Sequence, residues 1–194
     1  MQVLLSSGSP RRKELLSFLG IDFQVKIPKV PEIQLAGESP VDFCSRISRE
    51  KALEVARENP DALVIGADTV VVVDGMILGK PKDVDQARDY LMLLQNKEHE
   101  VYTGYSILYG KHHRTNVVRT KVHFKHMTVE EISWYISTGE PMDKAGAYAV
   151  QGIGSLFIDK VQGSYTNVIG LPLSHVYSDL NQFGISLHSP LEEA

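Results

Sequence analysis

The sequence predicts a mixed α/β fold, an elongated sheet flanked by helices, on three observations. Short apolar runs alternate with amphipathic helical patterns along the chain. Strand pairs joined by turn residues recur too often for a purely parallel, doubly wound sheet. No Gly/Ser linker, low-complexity tract or repeat breaks the alternation. The 194 residues therefore read as one domain, 1–194, long enough for one good-sized core or two intimately packed lobes.

The elements follow in order. Val3 to Leu5 read as a short buried strand. Ser9 fits a helix N-cap, and Pro10 the first helical position, where its missing N–H is no loss. Leu15, Leu16 and Leu19 form one apolar face, and Gly20 ends the helix. Ser39 and Pro40 open a second helix to about Arg57, with Phe43, Ile47, Ala52, Val55 and Ala56 as its inner side. In "ALVIGADTVVVVDGMILGKP", Ala62 to Ile65 and Val70 to Val73 read as central strands, with Asp74-Gly75 as a hairpin turn. Asp83 caps a helix in which Val84, Ala87, Tyr90, Leu91 and Leu94 keep helical spacing. Val101 to Tyr109 and Val117 to Phe124 read as strands joined through "GKHHR". Thr128 and Glu131 make a capping box for a helix ending near Gly139. "GSLFIDKVQGSYTNVIGLP" offers two short strands, then a proline-started helix from Leu171.

Composition narrows the function. The chain is 43% hydrophobic and 23% charged with a formal net charge of −4, which argues against a nucleic-acid partner, for which a basic footprint is expected. Small polyphosphates stay open, because a local basic pocket suffices. No apolar run approaches the roughly 20 residues of a membrane span, and the first strand is too short for a signal-peptide core. The chain reads as cytoplasmic. Its single cysteine, Cys44, has no partner for an internal disulfide and reads as a helix-packing residue. His123 and His126, three apart on a predicted strand, point to opposite faces, and His112 and His113 fall in the predicted hairpin turn, so zinc is not expected.

Several polar residues stand out. "SSGSPRRKELL", residues 6–16, couples free backbone N–H groups and the positive end of a helix dipole to the fork-shaped donors of Arg11 and Arg12, a combination suited to phosphate. The ordinary alternative is a well-capped helix with two solvated arginines. Asp68 interrupts the apolar run Val64 to Val73, where a carboxylate is costly unless paired with a cation or a metal. Otherwise it ends a strand and caps a turn with Thr69. Glu32 lies in a loop and Lys80 in the turn "LGKP", where solvation is the ordinary reading. Lys51, in "REKA", is explained as a surface lysine by a pair with Glu54 three residues on. "MDKAGAYAVQG", residues 142–152, carries Asp143, Lys144 and Gln151 among small residues whose glycines permit close approach to a ligand or tight packing.

As an ordered set these stretches are specific. With "SSGSPRRKELL", Glu32, "REKA", "GADTVV", "LGKP", "EPMDKAGAYAVQG" and "VIGLPL", the sequence resembles the Maf family of nucleoside triphosphate pyrophosphatases over nearly its whole length. The resemblance implies a single Maf-like domain whose fold is similar to that of the inosine triphosphate pyrophosphatases, with two lobes around a cleft. It also implies hydrolysis of a nucleoside triphosphate to the monophosphate and pyrophosphate, dependent on a divalent cation, Mg or Mn. Arg11-Arg12 after "SP", Thr69 and Gln151 look like the branch acting on dTTP and UTP rather than the one acting on 7-methyl-GTP. Ala149 stands where a glycine is common.

On this reading Ser7, Ser9, Arg11 and Arg12 cradle phosphate oxygens, and Lys51 and Lys80 supply point charges. Thr69 and Gln151 belong to the base pocket. Asp68 and Glu32 hold the metal or the water as hard oxygen ligands, and the family resemblance makes Asp68 the proton acceptor. A homodimer is expected by the same analogy. Two alternatives stay open: a nucleotide- or nucleic-acid-binding regulator of septum formation without turnover, and an inosine or xanthosine triphosphate pyrophosphatase. The first leaves Glu32 and Asp68 unexplained, since they repel phosphate unless a metal intervenes. The second would need a purine-recognition motif in place of "AYAVQG".

Overall fold

The computed structural model describes residues 1–186; residues 187–194 of the predicted domain lie outside the described residues. Seven strands form one mixed sheet in the order β2-β1-β3-β5-β6-β7, with β4 paired to β3. The chain divides into two compact units.

The first unit takes residues 1–68, 103–117 and the described chain from Gly170 onward. Strand β1 (Val3–Ser6) is buried throughout and pairs in parallel with β2 (Gln24–Lys26) and with β3 (Leu63–Val73), Ser6 standing opposite Gly66. Burial on both faces is why β1 and β3 are mostly apolar rather than alternating, whereas β2 is exposed throughout. Helix α1 (Pro10–Ser17) starts as expected, the Ser9 hydroxyl accepting from the Arg12 N–H, and Leu15 and Leu16 face the core. Helix α2 (Pro40–Glu58) is capped by Ser39 and buries Phe43, Cys44, Ile47 and Ala52. Where α2 crosses β3, a Cβ on Gly66 would lie 2.8 Å from the Ala52 nitrogen, so only glycine allows this approach.

Hairpin strands β5 (Glu98–Tyr109) and β6 (His112–Phe124) turn at Gly110-Lys111. At their tip the C-terminal helix α6 (Leu173–Gln182) is tied down through buried Asp179. Its Oδ2 accepts from the Tyr105 hydroxyl at 2.6 Å and from Asn116 Nδ2 at 2.7 Å, and its Oδ1 meets Arg114 Nε at 2.7 Å.

The second unit takes residues 69–102 and 118–169. Asp74 and Gly75, both at positive φ, close the turn from β3 to β4 (Met76–Leu78). Helix α3 (Val84–Leu94), capped by Asp83, and α4 (Val129–Ser137), with the predicted Thr128/Glu131 capping box, pack on a core that includes Val71, Leu91, Phe124, Ile132 and Phe157. Strand β7 (Ile158–Gln162) pairs antiparallel with β6, and the short helix α5 (Tyr165–Ile169) follows.

Several expectations are corrected. The two predicted central strands are one, because Asp68 does not end β3; it continues as strand with its charge met by a lysine. Of "GKHHR" only Gly110 and Lys111 form the connection: His112, His113 and Arg114 belong to β6, exposed, so neither burial nor alternation marks them. His126 lies beyond the end of β6 rather than on it, beside Gln95 Oε1 at 3.0 Å. In place of a second C-terminal strand stands α5, whose buried Asn167 amide donates to the Val101 carbonyl and to Thr120 Oγ1, tertiary bonds that override the β-branched local preference.

Two predictions follow from packing. Replacing Gly66 by alanine forces overlap with α2 backbone and should cost roughly 1–3 kcal/mol in a urea melt; unchanged stability would disprove the close approach. His99 is buried, with Nε2 2.8 Å from the Tyr148 hydroxyl, and burial pushes its pKa down to about 3. The unfolded chain then binds the extra proton first, so stability is complete above about 6.5 and falls by about 1.4 kcal/mol per pH unit from there towards 3. His99→Gln should flatten that slope in acid-denaturation curves, and an identical slope would refute the assignment.

Candidate functional site

The loop after β1 is built around Ser7. Its hydroxyl, buried with the rest of the residue, accepts from the Ser9 N–H at 3.1 Å and from Arg12 Nη1 at 3.4 Å. Arg12 Nε donates to the Gly170 carbonyl at 2.8 Å, which holds the guanidinium along the loop instead of in solvent. Burial lowers its pKa, the fields of Asp68 and then Glu32 raise it, and the balance lies below the ordinary arginine value. The group remains a cation. Arg11 lies beside it, partly buried, and its charge adds to the local positive potential. The reading of Arg12 as one of two solvated arginines is therefore corrected.

The second feature is an ammonium between two carboxylates. Lys51 Nζ donates to Asp68 Oδ1 at 2.7 Å and to Glu32 Oε1 at 2.6 Å. Lys51 is 6% exposed and Asp68 4%, whereas the Glu32 side chain is 48% exposed. Lys51 comes from the inner face of α2, one residue before the Ala52 that packs on Gly66, and the Ser6 hydroxyl donates to its carbonyl at 2.6 Å. The local pair expected with Glu54 does not form; Glu54 instead accepts from the Lys29 N–H at 2.7 Å. Ser7, Ser9, Arg11, Arg12, Glu32, Lys51 and Asp68 thus all belong to the first unit. Arg12 lies close enough to both carboxylates to feel their charge.

Thr69, Lys80 and Gln151 belong to the second unit. Thr69 is partly buried in β3, and Lys80 is exposed in the loop after β4. Gln151 is partly buried, and its amide makes no hydrogen bond to any described residue.

Sequence reasoning missed three residues. Ser6 was read only as part of a loop string, yet it ties β1 to Lys51. Glu140 and Tyr135 surround the "AYAVQG" segment: Glu140 accepts from the Ile153 N–H at 3.0 Å, the Gly154 N–H at 2.9 Å and the Tyr135 hydroxyl at 2.8 Å. Burial raises the Glu140 pKa, but those three donors and Lys144 outweigh it, holding the carboxyl below the ordinary value. The "EP" before "MDK" was the available signal, a carboxylate beside a proline in a stretch rich in glycine.

Among solved structures, the Staphylococcus aureus Ham1 protein matches with a TM-score of 0.43 and 14% identity, covering 81% of this chain and 80% of that one. The dTTP/UTP pyrophosphatase of Syntrophus aciditrophicus (strain SB) is 51% identical over 185 residues, 94% of this chain and 90% of the relative. That of Bacillus cereus (strain G9842) is 44% identical over 186 residues, 96% of this chain and 97% of the relative. The model of the Maf-like protein family matches residues 2–183, a span that takes in the Ser7 loop, the Lys51 cluster and the Gln151 segment alike, and the chain belongs to the Maf family.

Proposed function

We propose that the protein hydrolyses dTTP and UTP to the nucleoside monophosphate and pyrophosphate. The observation that carries this is the Lys51 ammonium clasped by Asp68 and Glu32, in the field of Arg12 on the Ser7 loop. The names of the relatives support the choice of substrate. A cytoplasmic setting and a homodimer belong to the same proposal; among the described residues no helix is long and apolar enough to cross a membrane.

Attack of water on the α-phosphorus requires three things: the triphosphate held, the water oriented and deprotonated, the leaving pyrophosphate stabilised. The Ser7 and Ser9 hydroxyls, the N–H groups opening α1, and Arg11 and Arg12 are suited to hold phosphate oxygens, and Lys80 to add charge. Asp68 accepts the water's proton as the oxygen bonds to the α-phosphorus. The bond from that phosphorus to the bridging oxygen breaks, and pyrophosphate leaves with the oxygen. Lys51 fixes the Oδ1 side of Asp68 and so sets the direction from which the base acts. Gln151 fits the thymine and uracil imide edge, an O4 acceptor beside an N3–H donor, because an amide offers both complements.

Magnesium or manganese fits this donor set. Among the described residues no three His, Cys, Asp or Glu side chains converge, but magnesium is commonly held by one or two carboxylates together with substrate phosphates. Asp68 and Glu32 are the residues that would hold it. When bound, it supplies the positive charge that lets a triphosphate approach two carboxylates.

Pyrophosphate, not orthophosphate, should be the first product from dTTP and UTP, and chelation should stop its release. Asp68→Asn keeps the shape and removes the charge, so turnover should fall by roughly 100- to 10,000-fold with the fold intact by circular dichroism. Orthophosphate as first product, or near-normal turnover in the variant, would overturn the reading.

A separate measurement addresses the loop. Arg12→Ala removes charge-assisted bonds and should lower kcat/KM by roughly 10- to 150-fold. Arg12→Lys should rescue little, because an ammonium cannot reproduce the fork that spans Ser7 and Gly170. Kinetically normal variants would reduce the loop to a capped helix start.

A further inference from the structure

The segment carrying Gln151 is tied at both ends to one carboxylate. On its C-terminal side the two oxygens of Glu140 take the consecutive N–H groups of Ile153 (Oε2, 3.0 Å) and Gly154 (Oε1, 2.9 Å). On its N-terminal side the Tyr135 hydroxyl accepts from the Ala149 N–H at 3.2 Å and donates to Glu140 Oε1 at 2.8 Å. Tyr135 is itself fully buried, its ring against Phe157 with centroids 5.5 Å apart, so the hydroxyl is held from a fixed core position. Between the two ties stands Gly152, at φ 84°, ψ −150°, where an added Cβ would lie 2.6 Å from Glu140 Oε2. The backbone therefore passes against the carboxylate at a point where no side chain fits. Gln151 sits midway, two residues from Ala149 and two from Ile153, and its own amide has no hydrogen bond to any described residue. What fixes the place from which that amide reaches out is the backbone on either side of it.

We propose that Glu140, acting with Tyr135, is a positioning residue for base recognition, holding the 149–154 backbone so that the Gln151 amide meets the pyrimidine in one place. The inference rests on the reading of Gln151 as the base-binding residue. A bare structural cap would also satisfy Ile153 and Gly154, but it gives no reason for the relay through Tyr135 to the other side of Gln151. The carboxylate is specific to the task. A carboxamide has one acceptor oxygen and would turn its NH2 towards one of the two backbone N–H groups, leaving that donor unpaired. Direct contact with the substrate is not required of Glu140; its effect passes through Gln151, and that dependence can be measured.

A double-mutant cycle tests it, with kcat and KM for dTTP measured in the wild type, Glu140→Gln, Gln151→Ala and the double variant. Each single variant should lose roughly 5- to 150-fold in kcat/KM, and for Glu140→Gln the loss should lie mainly in KM. In the Gln151→Ala background, adding Glu140→Gln should change kcat/KM by less than about twofold, because the residue through which it acts is gone. Tyr135→Phe, which keeps the buried ring and removes only the hydroxyl, should show the same background dependence and serves if Glu140→Gln does not fold. A merely structural role lowers the fraction of active protein, so it reduces kcat in both backgrounds equally and leaves KM alone. Equal losses in both backgrounds, or no loss in either single variant of the tie, overturn the proposal while the pyrophosphatase reading stands. A Gln151→Ala protein with unchanged kinetics removes Gln151 from the base pocket and takes this proposal with it. Wild-type protein that releases no pyrophosphate overturns the functional reading first.

Discussion

The buried ammonium of Lys51 is the interaction on which the arrangement of the first unit turns. Two carboxylates and one ammonium, with Asp68 and Lys51 almost wholly out of water, are tolerable only when the geometry is good and the remaining charge is balanced. The distances of 2.6 and 2.7 Å meet the first condition, and the nearby Arg12 cation meets the second. Losing one member of such a cluster strands the others, at a cost of roughly 3–5 kcal/mol for a buried pair. The surrounding structure protects against that. Gly66 lets α2 come against β3, and the Ser6 hydroxyl pins the Lys51 carbonyl.

The same unit holds a second buried carboxylate, and its surroundings differ from those of Asp68. Asp179 receives two side-chain donors on one oxygen and an arginine on the other, all from the hairpin tip that it joins to α6. Those partners account for it fully as a clamp on the C-terminal helix. Asp68 has as its neighbour a lysine that is shared with the half-exposed Glu32, so the cluster opens towards solvent on one side. Asp179 has no such opening, since its three donors enclose it.

Much of this was legible in the sequence because caps and apolar faces are local. Ser9, Ser39, Asp83 and the Thr128/Glu131 pair each announce a helix start within four residues, and all four are capped as read. That Asp68 has a cation beside it was legible by residue type, since a carboxylate amid valines demands one. What could not be read was which cation: Lys51 is seventeen residues from Asp68, and its local spacing to Glu54 offered a plausible but false partner. The strand through Asp68 was split for the same reason, since the chain alone does not show that the charge is met. The tip of β6 was lost because a strand exposed on both faces has no apolar period. Helix α5 was lost because Asn167 is decided by Val101 and Thr120, far along the chain.

The two units solve different physical problems with the same kind of group. In the first, Asp68 is held by a side chain, and its free energy of desolvation is offset by the charge of Lys51. In the second, Glu140 is held by backbone N–H groups and a phenol, and those donors stabilise its ionised form. That makes it a poor proton acceptor and a good anchor. Gln151, neutral and without a bond of its own to any described residue, can offer what neither carboxylate can, a donor and an acceptor together, which is the pairing that the proposed base recognition requires. The proposed reaction asks a carboxylate to take a proton and the proposed recognition asks one to hold a backbone, and the two carboxylates differ accordingly in their partners: an ammonium for Asp68, two backbone N–H groups and a phenol for Glu140.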